Sequence, residues 1–303
     1  MSDHIQPREA GRVTEAAHAK VNVILHILAR EAGGYHGIET LFQRLALHDD
    51  VTVSVHNGDR TLHCEGPSMP ASGLGPTESN LAWRAAVQYC DTAAWPTGFD
   101  IAVHKRIPVG GGLGGGSADA AAVLRALNRL NPAPLSETRL LELAGRLGAD
   151  VAFLCTGASR AWAWGRGDRL LTLPALPEMA VTLLAFREGV NTAAAYGAVA
   201  AARNTQSTRI EAKARDLSAL MSWEHIAGAA HNDFEPVVTG MHVGVLQALP
   251  AVMHAAAQLR AAGHLAIGLM SGSGATCFVL HPTSTAPDLP DLPDCTVVRT
   301  TTA

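Results

Sequence analysis

Alternation of apolar and polar positions is strongest in AHAKVNVILHI, where Ala17, Ala19, Val21, Val23, Leu25 and Ile27 share one face. The spacing predicts a strand with one apolar side. Its other face carries His18, Lys20, Asn22, Ile24 and His26, with Lys20 and Asn22 about 7 Å apart along the strand. After the turn-like REAGGYHG, alternation returns at Val51, Val53 and Val55, and Asn57-Gly58 predicts a hairpin into RTLHC.

Helical spacing appears next. Leu81, Ala85 and Tyr89 fall on one face of TESNLAWRAAVQYC, with Thr77 or Ser79 as the cap, and FDIAVHKRI is predicted as a strand. Val123, Leu124, Leu127 and Leu130 define a second helix that stops at Asn131-Pro132. SETRLLELAGRL predicts a third, capped by Ser136 and ended by Gly148, with Leu140, Leu143, Ala144 and Leu147 on its apolar face and Asp150 just beyond it. VAFLCTG is predicted as a buried strand, and the composition loosens through GRGDRLLTLPALPE.

That loosening predicts a single domain boundary, between residues 1–165 and 166–303. The second part offers a strand at AVTLLAF, a helix at NTAAAYGAVAAA, a polar surface segment from Asn204 to Arg215, a helical region and then HLAIGLMSGSGATCFVL. The order of elements predicts an α+β protein.

Length and composition narrow the possibilities. A chain of 303 residues suits two domains, and 48% apolar with 17% charged residues is ordinary for a globular protein. A net charge of -4 without a Lys/Arg block speaks against a nucleic-acid or membrane-surface partner and for a small-molecule substrate. Five scattered cysteines with no CxxC pair are expected to be reduced thiols of a cytoplasmic protein. The first twenty residues have no signal-peptide core, no later stretch has 18 uninterrupted apolar residues, and the histidines form no HExxH, so neither a membrane span nor a structural zinc is expected.

The densest chemistry lies in GGGLGGGSADAAAVL, residues 110–124, with six glycines in its first seven positions. Such a cluster opposes folding unless the backbone must go where side chains cannot. A flexible turn is one reading. The other follows from the strong helix after Ser117-Ala118-Asp119, whose free N–H groups converge with those of the glycines into a site for an anion, phosphate above all. Gly110, Gly112 and Gly115 also satisfy GxGxxG, but Pro108 precedes them and no acidic strand end follows at the dinucleotide spacing. Gly116-Ser117 lacks the lysine of a Walker loop, and the VAIK, HRD and DFG segments of protein kinases are missing.

PVGGGLGGGSADAAA from Pro108 resembles the second motif of the GHMP kinase superfamily, Pro-x-x-x-Gly-Leu-Gly-Ser-Ser-Ala-Ala. AHAKVNVILHI resembles the first motif and LMSGSGATCFVL, from Leu269, the third. Within the superfamily the chain is most similar to the branch whose acceptor is a cytidine diphosphate conjugate of methylerythritol. Gly-Leu-Gly-Gly-Gly-Ser, AKVN, Gly34-Tyr35-His36, GADV at Gly148 and HNDFE at His231 carry that likeness, which spans Ala17 to Phe278.

The resemblance implies a two-domain GHMP kinase fold, with an N-terminal ribosomal-protein-S5-domain-2-like domain and a C-terminal ferredoxin-like α/β domain. It also implies an ATP- and Mg2+-dependent transfer to the 2-hydroxyl of the methylerythritol unit, by a monomer or homodimer. Asp150 matches the family's base and Lys20 the lysine that stabilises the transferred group. Pro108, Val109, Gly110, Gly111, Gly112, Leu113, Gly114, Gly115, Gly116, Ser117 and Ala118 would take the ATP phosphates, with the Ser117 hydroxyl toward the metal. Asn80 and Lys105 match positions on the nucleotide side, and Ser271, Gly272, Ser273 and Gly274 would close it.

On the acceptor side, Tyr35 and His36 match the pair that stacks on and hydrogen-bonds cytosine; Asn22, Thr192 and Tyr196 match further substrate contacts. The chain departs from the pattern at Gly33, where the family commonly has aspartate, at Ala152 in place of a proline, and at Ala118 in place of a second serine. Two rival readings are a GHMP kinase with another acceptor and a non-catalytic sensor on the same fold; intact Lys20 and Asp150 speak against the sensor.

Overall fold

The structure is a computed structural model that describes residues 11–30, 36–167, 169–204 and 216–303. Of the polar segment expected from 204 to 215, all but Asn204 lies outside the described residues, as does the Tyr35 position, and of His36 only the backbone is described. In chain order the elements are β1 (Arg12–Arg30), β2 (His36–His56), β3 (Arg60–Glu65), α1 (Leu81–Ala93), β4 (Gly98–His104), α2 (Gly115–Leu130), α3 (Glu137–Leu147) and α4 (Ala149–Cys155). They continue with β5 (Arg160–Gly165), β6 (Arg169–Leu173), β7 (Ala180–Phe186), α5 (Thr192–Asn204), α6 (Trp223–Ala229), β8 (His231–Asn232), α7 (Glu235–Val238), α8 (Val243–Ala261), β9 (Ile267–Met270), β10 (Cys277–His281) and β11 (Cys295–Thr301).

The chain divides into two compact units, but not by one cut near residue 165. One unit draws on residues up to Ala17, Asp49–Arg106 and Gly116–Thr156; the other on His18–His48, Ile107–Gly115 and Gly157–Ala303. The linear reading could not show this, because β1 and β2 each run through the division.

In the first unit, β3 lies parallel to β4 from Arg60↔Phe99 to Glu65↔His104, and β4 pairs antiparallel with β2 from Asp50↔His104 to His56↔Gly98. The expected β2–β3 hairpin is thus opened by β4, which sits between them. The cause is visible at Gly98, where a Cβ would overlap the Gly58 carbonyl, so only glycine lets β4 enter beside that turn. Asn80, rather than Thr77 or Ser79, caps α1 by accepting the Ala82 N–H at 2.9 Å. Ser136 caps α3 as the sequence predicts.

VAFLCTG is not a strand. Its apolar residues belong to α4, and Val151, Ala152, Phe153, Leu154 and Cys155 are all buried. A short apolar run has the same appearance in a buried strand and a buried helix. Gly148 ends α3 and begins α4 with φ 155° and ψ 160°, a conformation open essentially to glycine alone, so the chain turns sharply into the new helix. Arg125 of α2 then holds α4 and β1, donating to the carbonyls of Leu154 at 2.7 Å and Ala16 at 2.9 Å.

In the second unit, β5 pairs with β2 from Ile38↔Gly165 to Gln43↔Arg160 and with β6, while β8 runs parallel to β1 at Ile24↔His231 and Leu25↔Asn232. A separate antiparallel sheet has the order β11-β7-β10-β9. Counted from β7, this is the fourth strand beside the first, then the third and second, a ferredoxin-like order. No helix joins β10 to β11, which departs from the full ferredoxin-like pattern. Leu184 and Phe186 of β7, Val245 and Val252 of α8, and Cys277 and Val279 of β10 share one apolar core. Among the described residues no helix is long and apolar enough to cross a membrane.

Candidate active site

β1 supplies the centre. Its alternating residues from Ala17 to Ile27 are buried as predicted, but so are Lys20, at 3% exposure, and Asn22, at 4%. A buried ammonium must be hydrogen-bonded. Lys20 Nζ donates to Asn22 Oδ1 at 2.8 Å and to the Gly112 carbonyl at 2.9 Å, and stands 5.7 Å from the centre of the Phe42 ring. Asn22 Nδ2 in turn donates to Thr40 Oγ1 at 2.8 Å, and that hydroxyl donates to the Ile24 carbonyl at 2.7 Å. Thr40 was not among the expected site residues; only the β1–β2 neighbour relationship brings it there.

The glycine loop is fastened to the same strand, with the Lys20 N–H donating to the Leu113 carbonyl at 3.0 Å. Gly110, Gly112 and Gly114 have φ of 79°, 75° and 72°. Left-handed residues alternating with ordinary ones turn successive N–H groups inward, the backbone form that favours an anion. α2 starts at Gly115, placing Gly116 and Ser117 in its first turn.

Part of the glycine requirement is nevertheless set by the protein itself. A Cβ at Gly112 would overlap the Ser271 carbonyl and stand 3.0 Å from the Gly274 carbonyl, and one at Gly111 would overlap Thr276 Oγ1. The Gly111 carbonyl accepts the Thr276 N–H at 3.1 Å, and Ser271 Oγ donates to the Gly112 carbonyl at 3.0 Å. The first, second and third motifs therefore meet at a single oxygen, the Gly112 carbonyl, which receives both Lys20 and Ser271. Ser273 Oγ lies 2.9 Å from Thr192 Oγ1 at the start of α5, joining a residue expected on the nucleotide side to one expected on the acceptor side. Tyr196, four residues on, packs edge-on against Phe234, with ring centroids 4.9 Å apart.

Asp150 is placed by the Gly148 turn in the first turn of α4 and is half-buried. Lys105 has a different setting from that of an open nucleotide ligand. It is 2% exposed, and its ammonium is held by Asp49 and, at 2.7 Å, by Asp119. Burial works against that charge, but the two carboxylates outweigh it and raise the Lys105 pKa. Burial also pushes Asp119 up to about 7; Lys105 opposes that rise and the Asp49 charge adds to it. Asn80 likewise spends its carbonyl on capping α1.

β1–β8 pairing creates one cluster that linear spacing could not show. Ligand atoms of His26, His231 and Asp233 all lie within 4.8 Å of one another, with the two imidazoles stacked at 4.9 Å. Asp233 is already engaged by His231 at 2.7 Å, by the Ile27 N–H at 2.6 Å and by Arg203 at 2.9 Å. Burial raises its pKa, but these three partners together hold it below the usual carboxylate range.

Residues 80–158 match the family model for the N-terminal domain of GHMP kinases, the class that this fold and its joined glycine motifs define. The chain is 35% identical over 86% of its length to the 4-diphosphocytidyl-2-C-methyl-D-erythritol kinase of Desulfitobacterium hafniense strain Y51, covering 84% of that protein. It is 36% identical over 96% of its length to the enzyme of the same name from Rhizorhabdus wittichii strain RW1, covering 92% of it. A crystal structure of 4-(cytidine 5'-diphospho)-2C-methyl-D-erythritol kinase superposes with a TM-score of 0.67 at 32% identity, over 96% of this chain and 99% of that one. The chain belongs to the 4-diphosphocytidyl-2-C-methyl-D-erythritol kinase family of GHMP kinases.

Proposed function

We propose that the chain transfers the γ-phosphoryl group of ATP to the 2-hydroxyl of 4-diphosphocytidyl-2-C-methyl-D-erythritol, a step of the non-mevalonate route to isoprenoids. The observation that carries this reading is the agreement of relatives bearing that name along nearly the whole chain. The convergence of Lys20, the glycine loop and the SGSG turn on the Gly112 carbonyl supports it.

In this reading the hydroxyl oxygen bonds to the γ-phosphorus as the bond to the β–γ bridging oxygen breaks, and ADP leaves. Asp150 takes the hydroxyl proton. Lys20, oriented by Asn22 and Gly112, stabilises charge on the transferred group. The N–H groups from Gly110 to Ser117 hold phosphate oxygens. The Ser117 hydroxyl would hold magnesium, which would supply charge neutralisation when bound. Tyr35, His36, Thr192 and Tyr196 recognise the acceptor. Lys105 and Asn80 line the nucleotide side, Lys105 while paired with Asp49 and Asp119 and Asn80 through its amide nitrogen, its Oδ1 capping α1.

Phosphorus NMR of the product tests this directly. A phosphomonoester on the tertiary carbon, formed in equal amount with ADP, supports the reading. ADP without that ester, or an ester on another hydroxyl, overturns it.

A further inference from the structure

The HNDFE segment, which the proposed chemistry does not use, grips the third glycine motif. Asn232 is 1% exposed, and both polar atoms of its side chain have partners. Nδ2 donates to the carbonyls of Met270 and Gly272, each at 2.8 Å, and Oδ1 accepts the Phe234 N–H at 2.9 Å. Glu235 Oε1 accepts the Met270 N–H at 2.9 Å, so Met270 is held at both of its backbone groups by one short segment. The segment is itself anchored on β1, where the Asp233 N–H donates to the Leu25 carbonyl at 3.0 Å and Asp233 Oδ2 accepts the Ile27 N–H at 2.6 Å.

What is held there lies against the lysine. Gly272 has φ 56°, and a Cβ on it would stand 3.2 Å from the Gly112 carbonyl and 3.5 Å from both Asn22 Oδ1 and Lys20 Nζ. Ser271 of this turn donates to the same Gly112 carbonyl that receives the lysine, so the position of the turn and that of the ammonium are linked through one oxygen.

We infer that Asn232 is a positioning residue for phosphoryl transfer, whose two N–H bonds set the Ser271–Gly274 turn against Gly112 and thereby fix the Lys20 ammonium. The inference rests on the kinase reading above.

Asn232→Asp separates positioning from mere packing. The variant keeps an oxygen for the Phe234 N–H, but its second oxygen faces two carbonyls. Ionised, it repels both; protonated, it donates to one. Burial among acceptors favours the protonated form, so the switch falls above the ordinary carboxylate range. Relative to wild type, kcat is expected to fall about 100-fold at pH 8.5 and to recover to within about tenfold at pH 6, with acceptor KM within about threefold. Affinity for a non-hydrolysable ATP analogue, measured by calorimetry, is expected to follow the same pH dependence.

A folded Asn232→Asp protein with wild-type kcat at both pH values overturns the inference, as does a loss independent of pH. If that variant does not fold, Asn232→Ser, uncharged and with one donor, must still lower kcat without moving acceptor KM; unchanged kcat overturns it. Should wild type itself fail to phosphorylate the acceptor, the kinase reading falls, and the pH dependence of analogue binding still decides the role of Asn232.

Discussion

Lys20 and Asn22, two residues apart on β1, are joined by a 2.8 Å hydrogen bond from ammonium to amide oxygen within a buried strand. Same-face neighbours on a strand are usually side-by-side solvated groups. Here each makes the other tolerable in the interior, and the lysine head is aimed by that partnership. Asn22→Ala is expected to lower kcat by about 10- to 100-fold through a misplaced ammonium. Steady-state kinetics checks it, with melting temperature recorded to separate misplacement from unfolding.

Thr40 completes that chain of bonds without being charged or catalytic. Thr40→Val keeps the shape but leaves Asn22 Nδ2 and the Ile24 carbonyl short of a partner. Burying unsatisfied groups costs about 1–3 kcal/mol, so chemical denaturation should show a loss of that size.

The two kinds of glycine in the chain predict opposite effects of the same substitution. Gly112→Ala meets a left-handed backbone, worth about 1–3 kcal/mol, and also the Ser271 carbonyl, so a large drop in melting temperature is expected. Gly145 in α3 has nothing within 4 Å of the position a Cβ would take and no left-handed φ, so Gly145→Ala should stabilise by about 0.5–1 kcal/mol. Thermal melts of both variants check the contrast.

Asp119 gives a pH dependence with a definite sign. Its pKa is about 7 in the folded chain against an ordinary 3.8, so the folded state holds the extra proton between those values. Stability from this group is therefore full below pH 3.8 and is lost as pH rises through about 7. Asp119→Asn should flatten the fall in urea midpoint between pH 5 and 8; an unchanged slope would refute it.

Much of this was legible in the chain. Strict alternation exposed β1 with Lys20 and Asn22, and glycine density with Ser117 exposed the loop. Other features were hidden for physical reasons. VAFLCTG has no period that separates strand from helix. Asn57-Gly58 looks like a hairpin because the insertion of β4 depends on Gly98, about forty residues away. Nothing in the sequence around Lys105 shows the Asp49 and Asp119 carboxylates that fold around it. Thr40 lies in no motif, and HNDFE marks Asn232 without showing what it holds; strand pairing brings Thr40 to Asn22 and Asn232 to the turn.

The proposed proton acceptor can be separated from binding. Asp150→Asn should lower kcat by about 100- to 10,000-fold, the usual span for a lost general base, while calorimetry shows nucleotide affinity near wild type. Turnover close to wild type would remove Asp150 from the role.

Which alcohol receives the phosphate decides the function. Initial rates with ATP and four acceptors, 4-diphosphocytidyl-2-C-methyl-D-erythritol, galactose, homoserine and mevalonate, measure it most directly. The kcat/KM for the cytidine conjugate is expected to be at least about 1,000-fold above each of the others, the discrimination expected where buried polar groups must be matched. Equal or faster turnover of any of the other three would contradict it.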